Sequence, residues 1–333
     1  MELKLSDKNF DDFVGARFVS SNFLQSSVWQ EFLRVQNKNF WQLVVSRQNE
    51  VVATCLLYEN RLPYGKSYLF APKGPIISDK INDNEKKEAL SLILSKVRDV
   101  TIETKKYQEI FFKLEPEEKF FLVDELKKAP DIHPRDTLVL DIDQDEKEML
   151  GQMHQKTRYN IALARRRGVE VVFSDKDEDI KYFLELVKKT AQRNEISIHD
   201  DKYYTLLWQT LRKKGAGTLA LAKVKGKVVA ANIIVRFGQA TTYLHGASDY
   251  YMRKYMAPHL LQWESIKQAK SLGYKIYDFW GIAPEDGSKP KWEGISRFKK
   301  GFGGRVIKSA GTYEMVYDKN WYAIYKIVKK IFR

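Results

Sequence analysis

Two stretches of the chain alternate apolar and polar residues in the same order. The first is Glu50-VVATCLLYENRLPYGKSYLF and the second is Lys227-VVAANIIVRFGQATTYLH. Val51, Val52 and Ala53 correspond to Val228, Val229 and Ala230. Leu56 and Leu57 correspond to Ile233 and Ile234, and Tyr68 and Leu69 to Tyr243 and Leu244, the later copy being two residues shorter in the turn. β-Branched runs joined by polar or glycine-bearing turns predict an antiparallel hairpin in each case. Helical spacing follows each hairpin. Leu90, Ile93, Leu94 and Val97 predict a helix over about Asn84–Val100, and a second helix starts at Pro258 and stops near Gly273. A strand comes next in both copies, at Gln108–Leu114 and Lys275–Trp280, and each runs into a proline, Pro116 or Pro284. Hairpin, helix and strand in matched order twice over point to duplication of one α/β unit.

The rest of the chain fits around these copies. The polar stretch Asp141–Lys147 marks the expected join. Domain 1 is assigned to residues 1–145 and domain 2 to 146–314. A helix is expected over Met149–Arg167, ended by Gly168, then a strand over Val169–Phe173 and a long helix over about Asp179–Asn194. The C-terminal segment, 315–333, predicts a basic amphipathic helix. Trp321, Ile324, Val328 and Ile331 recur on one face, with Lys326, Lys329, Lys330 and Arg333 elsewhere. An anionic bilayer surface and the body of the protein are both fitting places for its apolar face, and the second is the expectation.

Composition narrows the class. With 44% hydrophobic and 13% aromatic residues the chain can bury a sizeable core, which sets aside general disorder. The single cysteine, Cys55, excludes an internal disulfide framework and a cysteine-rich metal site. The start MELKLSDKNF does not read as a signal peptide and no apolar run reaches a membrane-spanning length, so a soluble cytoplasmic monomer is expected. A formal charge of +14 suits a polyanionic partner as well as it suits a solvated surface.

Several chemistries lack their residues. Gly65-Lys66-Ser67 resembles the end of a P-loop, but Asn60 stands where the first glycine belongs. The dinucleotide fingerprint, the zincin motif and the nucleophile elbow are missing, and His133, His154, His199, His245 and His259 have no ligand spacing. Neither a metal nor a cofactor is expected. The α/β unit resembles the GCN5-related acetyltransferase fold, whose coenzyme A loop reads Q/R-x-x-G-x-G/A. Arg165-Arg166-Arg167-Gly168-Val169-Glu170 begins that pattern and ends it with a carboxylate, which would repel a pyrophosphate.

Four stretches read together carry a closer likeness. They are Phe23-LQSSVW-Gln30, Ala71-PKGPI-Ile77, Lys156-TRYNIALARRRG-Val169, and a set running from Tyr243-LHGAS-Asp249 through Ala257-PHLLQWESIKQAKSLG-Tyr274 and Tyr277-DFWGI-Ala283 to Gly294-ISRFKKGFGG-Gly304. Their order over residues 23–304 resembles the FemABX family of peptidoglycan peptidyltransferases, in the short type without a helical arm, since Asp201–Gly215 leaves no room for one.

The resemblance implies two GCN5-related N-acetyltransferase-like domains in tandem, with mixed α/β sheets and the C-terminal helix folded back on the first. It implies transfer of an amino acid from aminoacyl-tRNA to the stem-peptide amine of a peptidoglycan precursor, either UDP-MurNAc-pentapeptide or lipid II, with peripheral membrane contact compatible with the lipid-linked form. Phe298 and Lys299 match the family's functional phenylalanine–lysine pair, so both are the expected catalytic residues, with Lys299 as the charged group. Lys73 is a candidate for the precursor's diphosphate and Asp79 for orienting the amine. Arg34 takes the place of a family lysine, and Arg193 and Tyr243 are further precursor candidates. Arg158, Arg165 and Arg166 are candidates for tRNA phosphates. An acyl-coenzyme A acyltransferase and a non-catalytic RNA-binding protein are the rival readings.

Overall fold

A computed structural model describes residues 1–16, 22–97, 99, 107–118 and 125–331. The expected helix end at Val100, and Arg333, lie outside the described residues.

The chain forms two compact units. The first comprises Met1–Arg17, Leu24–Arg135 and Lys308–Arg333, and the second Phe18–Phe23 and Asp136–Ile307. In the first unit come β1 (Glu2–Leu5), α1 (Asp11–Gly15), α2 (Ser27–Val35), β2 (Phe40–Arg47), β3 (Glu50–Leu62), β4 (Lys66–Ala71), β5 (Ile76–Ile77), α3 (Asp83–Val97), β6 (Gln108–Leu114) and β7 (Lys127–Lys128). The second holds β8 (Asp136–Asp141), α4 (Glu146–Gln152), α5 (Gln155–Arg166), β9 (Val169–Ser174), α6 (Ile180–Asn194), α7 (Asp201–Lys213), β10 (Gly217–Val224), β11 (Lys227–Phe237), β12 (Ala240–Ser248), α8 (Ala257–Ser271), β13 (Ile276–Gly281), α9 (Glu293–Lys300) and β14 (Arg305–Lys308). The chain ends with β15 (Tyr313–Val316) and α10 (Lys319–Ile331) in the first unit.

The two sheets have one plan. Their strand orders are β1-β2-β3-β4-β6-β15-β7, and, read in the matching sense, β9-β10-β11-β12-β13-β8-β14. In each, three antiparallel strands lead through a helix to a parallel neighbour: β4 pairs parallel with β6 after α3, and β12 with β13 after α8. The turns repeat as well. Gln48–Asn49 and Lys225–Gly226 take positive φ in the two-residue links before β3 and β11, the twist that suits a tight hairpin. The strand flanking each parallel pair has a different origin. β15 comes from the end of the chain and pairs antiparallel with β6, whereas β8 precedes the second copy and pairs antiparallel with β13.

Each sheet buries one face under its crossover helix. In the first unit Ala89, Leu90, Ile93 and Val97 of α3 pack on Leu43, Val45, Ala53, Cys55 and Phe112. In the second, Leu260, Leu261, Trp263 and Ile266 of α8 pack on Ala220, Ala230, Tyr277 and Phe279. Both helices carry apolar side chains three and four apart, which is why the same pattern predicts them.

One expected element divides. Met149–Arg167 is not a single helix but α4 and α5, broken at Met153 and His154. Asp145 and Glu148 form a capping box at the start of α4, and Met153 turns extended with ψ 146°. His154 then begins α5, its ring Nδ1 accepting from the Lys156 amide, and its own N–H donates to the Gly301 carbonyl at 2.9 Å. The break is thus stabilised by a partner about 150 residues away, which local pattern does not reveal.

The first unit also contains a buried ion pair. Lys113 on β6 and Glu314 on β15 are 2.8 Å apart with both side chains almost wholly enclosed, and the Tyr322 hydroxyl donates to the same carboxylate. Removing one member leaves an unpaired buried charge, which typically costs about 3–5 kcal/mol. Glu314→Ala is therefore expected to lower the unfolding free energy of the first unit by that order, read as a lower urea midpoint. The double variant Lys113→Met/Glu314→Met should recover most of the loss in the same urea titration.

Candidate functional site

The site is built around Lys299 of the second unit. On α9, Ser296 and Lys299 lie three residues apart and so share one face, the buried one. Both tie the helix to the end of β13. Ser296 Oγ accepts from the Ala283 amide at 2.7 Å, and Lys299 Nζ donates to the Gly281 carbonyl at 2.6 Å. The lysine is only 6% exposed. Burial lowers its pKa and the charge of Asp278 opposes the fall, leaving it at about 8.

Strand geometry makes room for this amine. β12 pairs with β13 only from Ala240 to Thr242, against Ile276 to Asp278. Tyr243 is the first residue beyond that ladder, and its ring centroid lies 5.5 Å from Lys299 Nζ. On the other side, the pairing of β13 with β8 is irregular between Asp278 and Gly281, where Trp280 takes φ +63°. Asp278 is fully buried and accepts from the Thr137 hydroxyl and, at 2.8 Å, from the Trp280 amide. Tyr243 itself is constrained by Gly246, since a Cβ there would lie 1.8 Å from the phenol oxygen. Burial raises the Tyr243 phenol to about 12, so it is a neutral donor near pH 7.

Phe298 is half-buried beside Lys299. Its ring meets His259 edge-on at 5.0 Å and Phe302 at 5.4 Å. His259 Nε2 lies 3.1 Å from the Asn160 amide nitrogen, which makes the ring nitrogen the acceptor. Burial, with Lys156 nearby, lowers His259 to about 4, so the imidazole is neutral at pH 7. The glycines after α9 meet protein rather than open space. A Cβ on Gly301 would lie 2.5 Å from Thr157 Oγ1, and one on Gly304 would lie 2.4 Å from the Val139 carbonyl. These residues let the segment pack against α5 and β8.

The other sequence candidates are distributed more widely. On α5, Arg158 donates to the carbonyls of Leu150 and Met153 at the end of α4, and Arg165 pairs with Glu264 at 2.8 Å. Arg166 is exposed and sits 5.8 Å from the ring of exposed Tyr159. Arg165–Glu170 lies at the C-terminal end of α5, the negative end of the helix dipole and the wrong end for a pyrophosphate. Arg193 lies in the last turn of α6, over the Tyr250 ring at 5.3 Å.

In the first unit, Arg34 pairs with Glu31 on α2 and faces the Phe40 ring at 5.5 Å. Asp79 is exposed and 4.0 Å from Lys86. Lys73 sits at φ +50° in the loop after β4, just before the cis Gly74–Pro75 bond. Its ammonium donates to the Pro134 carbonyl at 2.5 Å and its amide to Glu115 at 3.2 Å. Glu115 is buried, which by itself would raise its pKa. His133, 2.7 Å away, and Lys73 outweigh that and hold the carboxyl near 2.

Asp278, Gly246 and Ser296 were not singled out by sequence. The signal for the first is present, an aspartate inside the otherwise apolar strand Ile276-Tyr277-Asp278-Phe279-Trp280. Gly246 and Ser296 matter through contacts that no local spacing encodes.

The FemAB family matches residues 5–127, 124–227 and 214–330, which together run through nearly the whole chain. The chain belongs to the FemAB family. This FemAB protein is 21% identical to the Lipid II:glycine glycyltransferase of Staphylococcus aureus (strain USA300) over an alignment 420 positions long, gaps included, covering 98% of this chain and 96% of that protein. Among solved structures, it is similar to FemX, with a TM-score of 0.82 and 20% identity over 97% of this chain and 99% of the other. A tandem GNAT protein from the clavulanic acid biosynthesis pathway superposes with a TM-score of 0.53 at 11% identity, covering 94% and 98%. The fold of this FemAB protein is accordingly a tandem of two GNAT-like units with mixed sheets.

The lysine predicts a pH signature. An unfolded lysine is charged up to its ordinary 10.5, whereas folded Lys299 keeps its proton only below about 8. Between these values the unfolded chain binds more protons, so this group's contribution to stability rises with pH. Unfolding free energies of the wild type relative to Lys299→Met should increase from pH 8 to 10.5 and be flat below pH 7.

Proposed function

We propose that this FemAB protein is an aminoacyltransferase that moves an amino acid from aminoacyl-tRNA to the stem-peptide amine of a lipid-linked peptidoglycan precursor. The observation that carries the reading is its end-to-end relationship to a Lipid II:glycine glycyltransferase. The chemistry suits the residues present. An aminoacyl ester is already activated. The acceptor amine attacks its carbonyl, the C–N bond forms, and the C–O bond to the tRNA ribose breaks. The amine's proton leaves with the ribose hydroxyl. No covalent intermediate on the protein is needed, and catalysis rests on positioning and on stabilising the developing oxyanion.

Lys299 is assigned to that oxyanion. At pH 7 its amine is mainly protonated, and its enclosure strengthens any charge it meets. Phe298 is assigned to the terminal adenosine, as a ring held by His259 and Phe302. Arg166 and its neighbours on α5 are assigned to tRNA phosphates, and Lys73 to the precursor's diphosphate.

The direct test is mass spectrometry of lipid II after incubation with the protein and charged tRNAs. The expected product is heavier by one or more amino-acid residues, and turnover confined to acetyl-coenzyme A would refute the reading. A second test is ionic strength. If arginines on α5 meet phosphates, tRNA affinity should fall by about tenfold or more between 50 and 200 mM salt, and Arg166→Gln should flatten the slope.

A further inference from the structure

Helix α10 has three chemically distinct faces. One face is docked. Tyr322 and Tyr325 lie 5.3 and 5.0 Å from Phe111 of β6, Tyr325 lies 5.9 Å from Tyr68 of β4, and Trp321 lies under Lys66 at 4.7 Å. Aromatic contacts thus hold the helix to the sheet of the first unit and stop it rolling. Of the face expected to pack inward, Trp321 meets the first unit while Ile324, Val328 and Ile331 do not, and Tyr322 and Tyr325 take their place. Ile324, Ile327, Val328 and Ile331 are left 46%, 60%, 47% and 69% exposed. At three- and four-residue spacing they form one continuous stripe. The third face carries Lys319, Lys326 and Lys330, all exposed, and no acidic residue occurs from Lys319 to Ile331.

The patch extends past the helix. The tip of the β3–β4 hairpin presents Tyr64, 86% exposed, with its ring 6.1 Å from that of Trp321. Aliphatic stripe, lysines and amphipathic rings side by side match one kind of surface. A bilayer interface offers acyl chains to the stripe, anionic headgroups to the lysines at a slightly higher level, and an intermediate zone where tyrosine and tryptophan are favoured. A second copy of the helix is a poor match, since its all-basic polar face would meet another with no carboxylate to pair with.

We propose that the outward face of α10, with Tyr64, docks the protein onto an anionic phospholipid bilayer. The stripe enters the interface, and Lys319, Lys326 and Lys330 set the preference for negative lipid. This rests on exposure and charge alone and is independent of the functional reading above.

The test is co-sedimentation of the full chain with vesicles of phosphatidylcholine containing about a third phosphatidylglycerol, and with phosphatidylcholine alone. Binding is expected to the first and to be weak to the second. Ile327→Glu/Ile331→Glu should cut the partition coefficient at least tenfold. Lys326→Gln/Lys330→Gln should cut it by about fivefold per lysine on anionic vesicles, with reduced salt sensitivity. All four positions are exposed, so circular dichroism and thermal midpoints should match wild type. Vesicle binding unchanged in the glutamate variant would overturn the proposal. So would no binding to anionic vesicles, or light scattering showing a dimer that Ile327→Glu dissociates. Amino-acid transfer to a water-soluble precursor, measured alongside, separates this outcome from any failure of the transferase reading.

Discussion

The second unit depends on how one buried ammonium is accommodated. Lys299 is carried in by α9, accepted by the Gly281 carbonyl, and balanced by an aspartate with no exposure of its own. Placing a charge in such surroundings costs free energy that a surface lysine would avoid. The neighbouring structure shows what that requires: a parallel ladder that ends at Thr242, an irregularity in β13, a tryptophan at positive φ, and a glycine at 246 because no side chain fits beneath Tyr243. Departures from regular sheet geometry gather at this one amine, which is the reason Lys299 is the proposed chemical group.

The first unit has the same strand plan and a different solution. There the parallel pair β4–β6 runs from Lys66 to Ala71 with a register shift between Ser67 and Leu69, and the buried charges include Lys113–Glu314 and Glu115, tied to the C-terminal segment and to His133. Glu115 collects the Lys73 amide, the His133 backbone and ring, and the Thr312 hydroxyl. It fixes the loop that presents Lys73. Two copies of one fold thus hold their polar residues differently: the second encloses the Lys299 amine beside Asp278, and the first ties the Lys73 loop to Glu115 and to the Pro134 carbonyl.

Much of this was legible from residue order. Val51-Val52-Ala53 against Val228-Val229-Ala230, with matched helices and strands after them, specified the duplication because hairpins and crossover helices are set by local periodicity. What escaped depended on partners far along the chain. The break at Met153–His154 needs the Gly301 carbonyl, and the enclosure of Lys299 needs Gly281 and Asp278. The C-terminal helix was seen as amphipathic, but its docked face could not be chosen, because the aromatic residues that win the contact with Phe111 are no more regularly spaced than the isoleucines that lose it. Candidate arginines on α5 were likewise visible as a cluster, while their division into Arg158 on carbonyls, Arg165 on Glu264 and exposed Arg166 was not.

On the proposed reading, the enclosed amine of Lys299 acts on the transferring ester and not merely on the fold. Single-turnover transfer by Lys299→Met, measured beside its tRNA dissociation constant and its thermal midpoint, tests this most directly. The expected rate is lower by about a hundredfold or more, the scale of losing one oxyanion donor, with tRNA affinity within about threefold of wild type and the fold retained. A variant that folds, binds tRNA and transfers at the wild-type rate would contradict it.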